Sequence, residues 1–148
     1  MPKKVLVTSY ATGDAVVCRL PHGKDLLESV TEICIERDIQ MAALSGIGAL
    51  NGARIAYYDQ DKRVYNEIEF EGHFEILSLL GNISIRDGKP MCHAHIICGD
   101  EKGGTFGGHL ATGCTVFACE LVIFPLQGEP LVRGLDEETG LPLWGGTL

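Results

Sequence analysis

His93 and His95 stand two apart in the run MCHAHIICG, and His109 follows fourteen residues later behind Gly107 and Gly108. The chain has five histidines, and three of them fall within seventeen residues. On a β-strand, residues i and i+2 share a face. The two imidazoles therefore project side by side, while Cys92, Ala94, Ile96 and Cys98 face the other way. Two imidazoles held at that separation can coordinate one first-row metal ion, and His-x-His on a strand commonly supplies two of three nitrogen ligands to zinc. The turn GDEKGG brings the segment carrying His109 back alongside that strand, so His109 is the candidate third ligand. Gly107 and Gly108 would remove side-chain bulk beside the ion. Three protein ligands with an open fourth position is the arrangement of catalytic zinc sites, whereas closed structural sites use four. The plainer alternative is a half-exposed pair on a strand face, or one histidine hydrogen-bonded in a core.

If an open position holds water, a carboxylate is needed to shuttle a proton or to orient an imidazole. Glu75 in HFEIL and Glu120 in ACELVIF are candidates because each is acidic within a strand-like run. Their alternatives are an exposed strand face for Glu75 and a satisfied buried carboxylate for Glu120, and no catalytic residue is assigned. GGTFGGH lacks the lysine and spacing of a phosphate-binding loop, and SGIGAL lacks the third glycine and the helix of a dinucleotide fingerprint. Both glycine pairs read as turns or close-packing points. No G-x-S-x-G elbow occurs, and Cys92 points away from its histidine neighbour, which argues against a Cys-His pair. His22 and His73 read as surface residues, though His73 could line a pocket. The six cysteines form no C-x-x-C pair and read as small buried hydrophobes.

Those groups must be positioned by strands. From 24 to 38 the apolar residues Leu26, Leu27, Val30, Ile33 and Cys34 recur at helical spacing, with Glu28, Glu32 and Glu36 opposite. Elsewhere the pattern is β: KVLVTSY, DAVVCRL, ARIAYYD after a glycine-containing turn in MAALSGIGAL, RVYNEIEF, HFEILSLLG, NISIR and PMCHAHIICG. Asp87-Gly88 is a hairpin signal. CTVFACELVIF, nearly all apolar, predicts a strand buried on both faces. Residues 125–148 hold three prolines and five glycines, which predicts an irregular tail closing over something, such as a neighbouring subunit. One helix among strands joined by short hairpins makes an α+β fold with a mostly antiparallel sheet. The expectation is a single domain over 1–148, with its core at 14–124 and a tail at 125–148.

Twenty acidic against twelve basic residues give a net charge of −8. Such a surface disfavours direct DNA binding, which rests on phosphate neutralisation by Lys and Arg. No apolar run is long enough to span a membrane. The first ten residues make a poor signal peptide, so the expected location is cytoplasmic, with cysteines reduced.

The pieces RLPHGKDLLESV, LSGIGALNGARIAYYD, FEILSLLGNIS, DGKPMCHAHIICGD and GGTFGGHLATGCTVFACELVIF resemble, in order, the PPC domain, the plant and prokaryote conserved domain. The resemblance implies an α+β, largely antiparallel fold assembled as a homotrimer. It further implies that His93, His95 and His109 bind zinc or another divalent first-row metal, with a small-molecule ligand at the metal as a further expectation. The same domain follows AT-hooks in plant nuclear proteins, which implies an alternative: a DNA-associated regulatory or scaffolding module working through protein partners. The R-G-R-P core of an AT-hook is absent from this sequence, and a trimer would multiply its −8 charge threefold.

Overall fold

A computed structural model describes residues 5–145. The predicted helix is α1 (Leu26–Glu36), which buries Leu26, Ser29, Val30 and Cys34 and leaves the three glutamates in solvent. Asp25 caps it: Oδ1 accepts the Glu28 N–H at 3.0 Å, and Oδ2 accepts the Gly113 N–H at 2.7 Å. One carboxylate thus satisfies a helix N-terminus and ties it to the approach to the last long strand. Replacing Asp25 with Ala is expected to cost about 1–2 kcal/mol in a urea unfolding curve with unchanged slope.

The strands are β1 (Ala11–Thr12), β2 (Val16–Leu20), β3 (Ala42–Asp59), β4 (Val64–Arg86), β5 (Lys89–Gly99), β6 (Thr105–Leu110), β7 (Val116–Gln127), β8 (Arg133–Leu135) and β9 (Pro142–Trp144). The ladders of the large sheet are antiparallel, in the order β1-β7-β3-β4-β5-β6, with β2 also on β7. A further β3–β6 pairing, Ile55 with Leu110 and Ala56 with His109, closes β3, β4, β5 and β6 on themselves. The result is a small barrel-like domain with one short helix. The core joins α1 residues Leu26, Val30 and Cys34 to inward residues of β5 (Cys92, Ala94, Ile96, Cys98) and β7 (Val116, Leu121, Ile123).

Three expectations need correction. KVLVTSY is not a strand: its Lys4 lies outside the described residues, and residues 5–10 have no regular structure. Val5 there is 77% exposed, because β-propensity without a neighbouring ladder buries nothing. The glycine-containing turn expected in 41–50 is part of a continuous β3, whose register shifts at Gly46/Gly48 and Asn51/Ala53. These bulges bend the strand so that it pairs with β7 along its first half and with β6 near its end. A Cβ on Gly48 would lie 2.1 Å from the Ala118 carbonyl oxygen, so close packing, not turning, demands glycine there. Finally, β7 is buried on one face only, since Phe117 is 54% exposed.

The Asp87-Gly88 hairpin is as expected, with positive φ at both residues, 51° and 75°. The tail is more regular than its composition suggests. β8 and β9 form a hairpin that folds onto β4 of its own chain, where Trp144 Nε1 donates to Ser84 Oγ at 3.0 Å.

Candidate metal centre

Alternation along β5 puts Cys92, Ala94, Ile96 and Cys98 in the core and turns His93 and His95 to the opposite face. The turn at 100–104, held by Asp100 Oδ1 accepting the Lys102 and Gly104 N–H groups at 2.9 and 2.8 Å, returns the chain as β6. The register sets His95 directly across from His109. The ring centroids are 5.3 Å (His93–His95), 5.2 Å (His93–His109) and 5.8 Å (His95–His109) apart. One ligand nitrogen from each falls within 4.8 Å of the others. All three predicted residues therefore converge. His93 and His109 are half-buried and His95 is exposed, which leaves one side of the cluster open.

These residues fit a divalent ion. His109 Nδ1 is buried without a hydrogen-bond partner among the described residues, a costly state for a polar atom that donation to a cation relieves. The chemistry of the donors agrees. Burial, the Arg133 charge and the other two imidazoles push His93 down to about 4, and burial followed by His95 lowers His109. Neutral imidazoles have lone pairs to offer at neutral pH.

The sign of the acid response follows. With a folded value below the unfolded one, the unfolded chain binds more protons between about pH 6.5 and 4, so stability falls as the pH drops through that window. Metal-free protein should lose chemical-denaturant stability across it, and His93→Gln should flatten the loss.

Of the readings offered for Gly107 and Gly108, close packing is the one the structure bears out. A Cβ on Gly107 would meet the Ile96 carbonyl oxygen at 2.5 Å, and one on Gly108 the Ala56 oxygen at 2.9 Å. They let β6 slot between β5 and β3, closing the barrel and placing His109. The candidate carboxylates are elsewhere. Glu75 is exposed beside His73 and Phe117, and Glu120 is exposed on the β2–β7 face beside Val17 and Ile47. His22 is exposed, its Nδ1 2.9 Å from the Phe117 oxygen. Burial pushes Cys92 up to about 12 and Cys34, Cys98, Cys114 and Cys119 to about 11, so these thiols are inert core atoms.

Three neighbours of the histidines escaped the sequence reading, Tyr65, Asn82 and Arg133, as did Ser84, which is bonded to Arg133. Tyr65 packs its ring 4.8 Å from that of His109. Arg133 is 6% exposed. It donates from Nε to Ser84 Oγ (2.9 Å), from Nη1 to the Pro142 oxygen (3.1 Å) and from Nη2 to Asn82 Oδ1 (2.8 Å). Its guanidinium lies 5.0 Å from the Trp144 ring centroid. Asn82 is the ladder partner of His93, which ties the arginine to the cluster. The one available signal was a lone arginine in the apolar run PLVRGL.

The fold recurs in solved structures. A metal-containing protein from Archaeoglobus fulgidus is 44% identical, with a TM-score of 0.91, over 95% of this chain and 99% of that one. A plant- and prokaryote-conserved protein from Pyrococcus horikoshii is 35% identical, with a TM-score of 0.89, over 97% and 99%. A protein from Ralstonia eutropha proposed to bind DNA is 27% identical, with a TM-score of 0.79, over 87% and 89%. Among curated proteins, the bifunctional protein GlmU of two Synechococcus strains is 30% identical over 124 residues, 82% of this chain. The chain spans about a fifth of the length of those relatives, 19% and 18%. A family model matches residues 7–127. The chain belongs to the Plants and Prokaryotes Conserved (PCC) domain family.

Proposed function

We propose that this chain is a metal-binding protein in which His93, His95 and His109 hold one divalent first-row ion, zinc foremost, with a coordination position left for a small molecule. The observation that carries this reading is the convergence of three ligand nitrogens within 4.8 Å, one imidazole having a buried, partnerless nitrogen. Zinc in such a site lowers the pKa of bound water to about 7 and polarises a ligand oxygen. The histidines contribute neutral donors, and the exposure of His95 gives the ligand its approach. The metal-containing relative from Archaeoglobus fulgidus supports the reading.

The whole of 1–148 acts as one domain, with 14–124 as its core and the tail 125–148 buttressing the metal site. The active form is a cytoplasmic homotrimer. Val17, Ile47, Leu77, Leu80 and Phe117 expose apolar side chains, Leu80 to 61%. Val17, Ile47, Leu77 and Leu80 line one groove of about 660 Å³ across β2, β3, β4 and β7. A second copy of the chain would cover that surface. Light scattering should give three times 16.0 kDa, and a monomer mass would remove the trimer from the reading. The −8 charge argues against direct contact with DNA. Among the described residues no helix is long and apolar enough to cross a membrane. Mass-spectrometric metal analysis of untagged protein tests the central assignment: about one ion per chain is expected for a three-ligand site, and metal-free protein that resists reloading would overturn it.

A further inference from the structure

Arg133 carries a charge that its own contacts do not explain. Ser84, Asn82 and the Pro142 carbonyl are neutral acceptors, and no described carboxylate forms an ion pair with it or lines its cavity. Burial and the Arg86 charge lower its pKa, but an arginine side chain stays protonated at neutral pH. Buried guanidinium groups normally have a counter-charge. The cavity it lines, about 40 Å³, is shared with His93, His109 and Tyr65 and walled by Met91, Leu141, Pro142 and Leu143. A divalent ion on the histidines would add more positive charge to a place that already has an uncompensated one.

The missing partner is therefore an anion, and its shape can be argued. A guanidinium has five N–H groups. The three bonds use Nε and one hydrogen on each Nη, so each Nη keeps one free. Two donors on neighbouring nitrogens suit an anion with two oxygens on one atom. One water-sized sphere occupies about 10–15 Å³, so the cavity admits a group the size of a carboxylate, and its apolar wall suits a short aliphatic chain. We infer that the small molecule taken by this site is a short-chain carboxylic acid whose carboxylate lies between the metal position and the Arg133 guanidinium. This rests on the metal reading above and names the ligand class for it.

The test uses full-length protein loaded with cobalt(II) in carboxylate-free buffer, titrated with acetate and, separately, with inorganic phosphate. Acetate should change the visible cobalt spectrum saturably, and phosphate should act at least about tenfold more weakly. Arg133→Gln should weaken the acetate response about tenfold or more without changing cobalt content. Asn82→Asp guards against misfolding of that variant. It is nearly isosteric and places a carboxylate against Nη2, so acetate should again lose about tenfold. An acetate response equal in wild type and both variants, or none in cobalt-loaded wild type, overturns the inference and leaves the metal reading standing. Tighter binding of phosphate than acetate also overturns it. Failure of wild type to take up cobalt at all sinks the metal reading, and the inference with it.

Discussion

His95→Ala protein should purify nearly free of metal while folding as well as the parent. His95 is the exposed member of the triad, so its ring contributes little to packing. Truncating an exposed residue typically changes stability by no more than about 0.5 kcal/mol. Metal affinity should respond very differently. Loss of a residue that merely supports a ligand costs about 10–100-fold, so loss of a ligand should cost more than 100-fold. The thermal signature follows from linkage. For metal at about 100 times its dissociation constant, binding adds about 2.7 kcal/mol, or roughly 5–10 °C in a chain of this size. Wild type should show that upward shift on adding zinc, and His95→Ala should not. A variant that keeps stoichiometric metal would show that the ion is held elsewhere.

Gly81→Ala should give the largest stability loss of any conservative substitution near the site. Gly81 lies on β4 opposite Ala94, between the ladder partners of His93 and His95. A Cβ there would fall 2.4 Å from the His93 carbonyl oxygen and 2.8 Å from Ala94 Cα. Those atoms are backbone, so β5 itself must move. Overpacking of a side chain costs about 1–3 kcal/mol, and a clash with a paired strand should reach about 3 kcal/mol or more. A drop of roughly 6–12 °C in Tm is expected. Metal affinity should fall as well, although no ligand has changed, because the displaced peptide joins His93 to Ala94. Gly88→Ala is the control. Its φ is 75° with nothing within 4 Å of the added carbon, so it carries about 1 kcal/mol of turn strain and should leave metal binding intact.

The three-histidine cluster was legible in the chain because its geometry is short-ranged. The i, i+2 spacing of His93 and His95 needs only the strand period. The polar turn after Gly99 then brings His109 into register. The helix was legible for the same reason, since Leu26, Val30 and Cys34 repeat at its own period. For Gly46 and Gly48 the turn reading failed and the close-packing one held, because composition does not distinguish a bulge from a turn: both call for glycine, and only the β7 backbone beside them shows which is present. The strand β7 misled because an apolar run reads alike whether both faces are buried or only one. Arg133 left only its place in an apolar run as a signal, because its contacts are with Asn82 and Ser84, about fifty residues away (51 and 49). Pairings at that distance leave no periodic trace.

An anomalous-difference map from crystals of untagged protein, collected on both sides of the zinc absorption edge, tests the three-histidine assignment most directly. One peak per chain is expected, bonded to His93, His95 and His109 at about 2.0–2.1 Å, with non-protein density at its open position. The absence of a peak after zinc loading, or a peak bound to other residues while the three rings point apart, would contradict it.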